Sequence, residues 1–330
     1  MIELFNSLGE VVKGNLNRKI KTIVILSFFL ISLLCFIPAC ISQDQPDQLW
    51  IKTYNSTKDD YAECVTTDQN NNIFVSGFFK NSSKDEIKII KYDPYGNIVF
   101  NKNYNNIYPC KANDICSDNL GNIYIGGFIK KNGYNDFLLL KYDNNGNHIW
   151  NISIDKSDED VIYGVSSDSN GNIIFTGEKD NCFYTTKFNS DGVEIWNKTY
   201  SFQNDAISKA ICVDSNDNIL ITGYLTKNNS RDCKIIKYLP NGVLDWIKTY
   251  SDSSYNTAVG IDVDSEDNIF TVGTKTNGAS SDFLILKYLK NGSFNYSKTF
   301  DKSIMDSGAD IVLNQYDEII LTGNYVKTHE

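Results

Sequence analysis

Beyond residue 48 the chain alternates short apolar runs with clusters of Asn, Asp, Gly and Ser, and the alternation recurs. The segment NIxxxG begins at Asn72, Asn122, Asn172, Asn218 and Asn268, with the variant Glu318-Ile319 last. Its glycines, Gly77, Gly127, Gly177, Gly223, Gly273 and Gly323, are spaced by 50, 50, 46, 50 and 50 residues. Asp68, Asp118, Asp168, Asp214 and Asp264 each stand four residues before that Asn, and Asn314 takes the place in the last copy. Apolar runs ending in Lys-aromatic follow, IKIIKY (87–92), FLLLKY (137–142), FYTTKF (183–188), CKIIKY (233–238) and FLILKY (283–288). A turn glycine with an aromatic residue four positions on completes each unit, at Phe100, Trp150, Trp196, Trp246 and Tyr296. Trp50 opens this series without a preceding glycine.

Each unit therefore predicts four short strands, a to d. Segments such as DSNGN (168–172) and DNNGN (143–147) between them are tight hairpin turns, in which Asp caps the backbone and Gly or Asn accepts positive φ. Strand c is apolar on both faces and must be covered on both sides. Strand a carries small residues (Ala62, Ala112, Gly164, Ala210, Gly260), as expected where sheets crowd. Four antiparallel strands at a period near 50 describe the blades of a β-propeller, whereas solenoid repeats are much shorter. The expected fold is all-β, a propeller of about six four-stranded blades over residues 44–330, with the last blade incomplete. Strand c occurs five times against six for the others, so DQLWIKTY (47–54) is expected to supply the outer strand that closes the ring near Gly323. Gly-x-x-x-Trp at equivalent places reads as packing between blades.

These residues resemble the SBBP repeat family of exported bacterial and archaeal propellers. The resemblance rests on GIDVDSEDNIFTVG (260–273), DFLILKYLKNG (282–292) and GVLDW (242–246), and spans roughly residues 48–330. It implies a propeller at or beyond the cell surface and brings no catalytic residues with it.

Residues 1–43 differ in kind. No charge lies between Lys21 and Asp44, and the run TIVILSFFLISLLCFIPACISQ (22–43) is long enough to cross a bilayer as a helix. Basic residues precede it, so the rest of the chain is expected to be exported. A cleaved signal peptide, a retained anchor and a lipoprotein signal with Cys40 as the lipidated residue all fit this segment. The predicted location is extracellular or cell surface, membrane-anchored or secreted, with membrane contact through this segment.

The formal charge of the 330 residues is −10, and residues 1–21 carry +2, which leaves −12 on the remainder. That field repels phosphate and argues against a nucleic-acid partner. Only His148 and His329 occur, too few and too poorly placed for a Ser/His/Asp system or a His-metal cluster. The turns DSNDN (214–218) and DSEDN (264–268) carry alternating oxygen ligands but lack the Gly and Glu of an EF-hand loop, so they read as turns. The eight cysteines contain no CxxC and scatter in register, as small buried fillers do. No metal or cofactor is expected.

The expectation is a non-enzymatic binding or scaffold module for an extracellular protein or glycan. Contact regions are expected on the connectors 55–61, 105–111, 155–161, 201–207 and 251–257. The b–c loops 79–86, 129–136, 224–232 and 274–282 share that face. The rival is an extracellular enzyme acting on polysaccharide. Three or more buried carboxylates near the axis would favour it, and the small or apolar a strands lead to the expectation of none.

Overall fold

The computed structural model describes residues 50–326, apart from 56–58, 82–83, 156–158, 203–204, 228–229, 253 and 302. Among them, 22 strands form. The first unit is β1 (Asp60–Thr67), β2 (Ile73–Asn81), β3 (Lys84–Tyr92) and β4 (Ile98–Tyr104). The second is β5 (Cys110–Ser117), β6 (Ile123–Lys131), β7 (Tyr134–Tyr142) and β8 (His148–Ile154). The third is β9 (Asp160–Ser167), β10 (Ile173–Lys179), β11 (Cys182–Phe188) and β12 (Glu194–Tyr200). The fourth is β13 (Ala206–Val213), β14 (Ile219–Lys227), β15 (Ser230–Tyr238) and β16 (Leu244–Tyr250). The fifth is β17 (Tyr255–Val263), β18 (Ile269–Asn277), β19 (Ser280–Tyr288) and β20 (Phe294–Phe300). The sixth holds β21 (Asp306–Leu313) and β22 (Ile319–Tyr325). Each of the first five is an antiparallel sheet in order a-b-c-d, and a single parallel contact, Arg231 with Tyr255, joins the fourth to the fifth.

The a strands β1, β5, β9, β13, β17 and β21 pack in series, each against the next. Every a–b pairing slips by one residue at its centre, so Glu63, Asn113, Tyr163, Lys209, Val259 and Ala309 are bulged out of register. The bulge explains the repeated glycine. A Cβ on Gly77, Gly127, Gly177, Gly223, Gly273 or Gly323 would stand 2.0, 1.9, 2.0, 2.1, 1.8 or 2.2 Å from a carbonyl oxygen of the adjacent a strand. Close backbone approach, rather than positive φ, demands glycine here.

Burial is two-sided and lies between units. One apolar cluster joins Phe74, Ile87 and Ile89 of the first unit to Ile115, Ile125 and Leu138 of the second. Others link second to third through Tyr124, Phe137 and Phe175, and third to fourth through Ile174, Phe183 and Ile221. Cys212, Leu220 and Ile235 meet Ile261 and Leu284 of the fifth, and Phe270 and Ile285 meet Ile311 of the sixth. Among the described residues the sixth unit has no such cover on its far side, and β22 is half-exposed where β18 is buried.

The outer aromatics wedge between units. Trp150 lies against Gly192, Trp196 against Gly242, Trp246 against Gly292 and Phe100 against Gly146, always on the c–d turn of the next unit. Trp196 Nε1 donates to Pro240 O at 3.1 Å and Trp150 Nε1 to Ser190 O at 3.2 Å. Trp50 repeats the arrangement on the first unit, lying on Gly96 with Nε1 donating to Pro94 O at 3.3 Å. Residues 50–54 form no strand, which corrects the expected outer strand there. Trp50 packs on the first unit, whereas Gly323 meets Ser307 and Phe283.

The b–c connections are also shorter than expected. The strands run through most of 79–86, 129–136, 224–232 and 274–282 and leave two-residue links. Asn132-Gly133 and Asp180-Asn181 take positive φ at both positions, the conformation that closes a two-residue hairpin without splaying its strands. The apolar run 22–43, with Cys40 and the boundary at 43/44, lies outside the described residues. Among the described residues, no helix is long and apolar enough to cross a membrane.

Candidate ligand-binding cluster on the connector face

The repeat Asp residues do structural work. Asp168 Oδ1 accepts from the N–H groups of Asn170 and Asn172 at 2.9 Å, and Oδ2 lies 2.7 Å from Lys187 Nζ. Asp214 repeats this with Lys237 at 2.9 Å. Burial pushes both carboxyls up, but the lysine and Asn172 or Asn218 outweigh it and hold them below the ordinary range. The same turns also link adjacent units. Ser169 Oγ donates to Asp217 at 2.6 Å, Ser215 to Asp267 at 2.8 Å and Ser265 to Asp317 at 2.6 Å. The carboxylates of DSNDN and DSEDN thus accept hydrogen bonds from turn backbone and from neighbouring turns.

The a strands depart from expectation. Three carboxylates, Asp114, Asp262 and Asp310, are held there above their ordinary range, where none was expected to gather. Burial pushes Asp114 up to about 7, with the Asp310 charge adding to it, and pushes Asp310 up to about 6, with Asp262 adding. Each also serves the backbone. Asp114 Oδ2 accepts from Val165 N and Asp262 Oδ2 from Leu313 N, both at 2.7 Å and both in the next unit. An innermost strand has one edge without a β partner, and a short acceptor from the preceding strand satisfies its N–H. The scattered Asp codes looked isolated because their neighbours come from units some 50 residues away.

A second group gathers where the b–c links and connectors emerge. Tyr163 is the bulged residue of β9, Glu178 is near the end of β10, and Lys209 is the bulged residue of β13. Tyr224 is in β14, Arg231 follows the start of β15, and Tyr255 begins β17. Lys209 Nζ sits 3.4 Å from the Tyr163 ring centroid. Arg231 Cζ is 4.2 Å from the Tyr224 ring and 4.7 Å from that of Tyr255. Tyr163 Oη donates to Glu178 Oε2 at 3.4 Å. Burial drives the Lys209 ammonium down to about 8, against the pull of Glu178 and with a further push from Arg231. Burial also raises Glu178, opposed by Lys209. Cations on aromatic faces, beside a carboxylate and phenol hydroxyls, can hold an anion that also carries hydroxyl groups.

Comparison of the units within the chain sets this group apart. The Lys209 column reads Glu63, Asn113, Tyr163, Lys209, Val259, Ala309, and the Tyr224 column reads Phe78, Phe128, Glu178, Tyr224, Thr274, Asn324. The Gly and Asp columns repeat, and these do not. Motif reading by repetition therefore passed over them, and the absence of repetition was the available signal.

Other candidates are placed as follows. His148 is exposed on β8 and packs edge-on to Tyr142 at 5.2 Å. Cys64, Cys110, Cys116, Cys182, Cys212 and Cys233 are free thiols, and Cys110 starts β5 rather than lying in a connector. Asp282, Asp301 and Asp306 bring carboxylate oxygens within 4.8 Å of one another, and Ser303 donates to Asp306 through N and Oγ. A rim groove bounded by Lys248, Tyr250, Tyr288 and Phe294 is the seam beside Trp246 and shares no lining residue with the connector-face group.

No family model matches the chain, and neither does any curated protein. Solved structures do. The periplasmic gluconolactonase PpgL of Pseudomonas aeruginosa is 8% identical with TM-score 0.56, over 85% of this chain and 88% of that one. An ulvan lyase of a polysaccharide lyase family is 14% identical with TM-score 0.51, over 78% and 73%. A eukaryotic initiation factor matches at 11% identity and TM-score 0.45, over 73% of this chain, which spans 56% of its length. The chain has a β-propeller-type fold. At these identities the likeness concerns the fold alone.

Proposed function

We propose that this chain is a non-enzymatic, exported or surface-anchored β-propeller that binds an extracellular partner through its connector face. The observation that carries it is the Tyr163–Glu178–Lys209–Tyr224–Arg231–Tyr255 group, built at positions the repeat does not require and open to solvent in part. In this reading the units are SBBP-type repeats of a six-bladed ring, with the Trp50 segment at its closing seam. The way Trp50 lies on Gly96 supports that place for it. Residues 1–43 act as signal peptide or membrane anchor, with Cys40 available for lipidation. Protease digestion of whole cells is expected to degrade the protein, and full protection until lysis overturns export. Binding is tested with the full-length chain in detergent on arrays of glycans and surface proteins. Saturable binding that a Tyr255→Ala change weakens is the expected result, and absence of any ligand counts against the reading.

A second reading, a polysaccharide lyase or hydrolase, draws support from Asp114 and Asp310, whose raised carboxyls suit a general acid. Incubation with a polysaccharide panel decides it. Release of new chain ends that Asp114→Asn abolishes would install the enzyme reading in place of the first.

A further inference from the structure

We propose that Lys209 and Arg231 are the anion-binding pair of the connector-face group, and that the site takes a sugar acid, one uronate carboxylate of an oligosaccharide or polysaccharide. The proposal rests on the binding-module reading and names its ligand class. Neither cation forms a salt bridge among the described residues, although Lys187, Lys237 and eight other lysine contacts do. Arg231 Nε is buried and has no hydrogen-bond partner. A buried donor left unpaired is destabilising, so a ligand oxygen that reached it would recover that loss. Tyr224 and Tyr255 flank the guanidinium and restrict its rotation, which lowers the entropy lost on binding. Lys209, fixed over Tyr163, is close enough to be depressed by the Arg231 charge, so one anion between them relieves their repulsion.

The rest of the group selects the kind of anion. Glu178 shares the site, and Glu159 and Asp205 lie near enough to act on it. A ligand that brings negative charge without hydroxyl donors, such as poly-glutamate or a polyphosphate, meets these carboxylates unfavourably. A sugar acid carries one carboxylate per ring, and its hydroxyls can donate to Glu178. The three tyrosines add hydroxyl groups and apolar ring surface of the kind that packs on sugar rings.

The test is isothermal titration of the full-length chain in detergent with a galacturonate oligomer, the matching neutral galactose oligomer and poly-glutamate. The expected result is salt-sensitive binding of the galacturonate oligomer. It should weaken at least about tenfold in Arg231→Gln and in Lys209→Met, as loss of a charge-assisted hydrogen bond predicts. Thermal melts identify any variant that fails to fold. Lys209→Met removes the charge while keeping an unbranched side chain of similar length, and stands as the second probe if Arg231→Gln does not fold. Galacturonate binding unchanged in a folded variant overturns the proposal. Equal binding of the neutral oligomer, or tighter binding of poly-glutamate, also overturns it while leaving a binding module in place. Silence from every ligand on the broad arrays described above removes the module reading itself.

Discussion

Gly177→Val is expected to abolish folding of the chain. The Cβ of any residue at 177 would stand 2.0 Å from Val161 O and 3.0 Å from Ile162 Cα, both backbone atoms that cannot swing aside. Relief requires separating β9 from β10, and these strands anchor the apolar clusters shared with the second and fourth units. Losses above about 4–5 kcal/mol are reserved for such faults, and that is a large part of a domain's stability. Gly133→Ala is the control. Its Cβ meets nothing within 4 Å, but its φ of +96° strains an L-residue, so a cost of about 1–2 kcal/mol is expected. Urea titration followed by circular dichroism measures both. A cooperative Gly177→Val transition near the parent midpoint would show that the strands do not approach as described.

The second large effect is a loss of stability as pH rises from 5 to 8. Asp114 is pushed up to about 7 in the folded chain against 3.8 for an ordinary side chain, first by burial and then by Asp310, with Val165 and Ile115 pulling the other way. A folded state that holds its proton more tightly than the unfolded one is favoured at low pH. Its contribution is whole below the unfolded value and is lost as pH passes through about 7. The ceiling for Asp114 is about 4 kcal/mol at about 1.4 kcal/mol per unit. The side chain keeps some contact with solvent, which screens it, so a loss of roughly 1–2 kcal/mol is expected. Asp168 and Asp214 titrate in the opposite sense. Their stabilisation is present above the unfolded value and is lost on acidification. Stability should therefore peak near pH 5. Asp114→Asn should flatten the alkaline limb and raise the melting temperature at pH 8. A variant that keeps the parent slope between pH 5 and 8 would assign the limb to other groups.

The two effects differ in how openly the chain displays them. Gly177 belongs to a column that recurs every 46 or 50 residues, and recurrence announced its importance before any contact was known. The reason, a bulge in the a strand that drives backbone against backbone, was not in the pattern, because a bulge is one unpaired residue and leaves no periodic mark. Asp114 belongs to a column that reads Cys64, Asp114, Gly164, Ala210, Gly260, Asp310, in which an acid looks incidental. Its significance comes from Val165, 51 residues on, and from Asp310.

The amino-acid sequence by itself determined the recurring a to d strands from residue 60 onward, the a–b and c–d hairpin turns and the glycine columns, because these follow from local alternation, turn chemistry and recurrence. It also marked residues 1–43 as distinct in composition. The tertiary structure decided what meets at the inner strands and on the connector face. Lys209, Arg231 and Glu178 sit in three different strands of two units, and Tyr163 and Tyr255 bring in the flanking strands. No spacing along the chain encodes that meeting, since the distance between such residues is set by the radial packing of one sheet on the next.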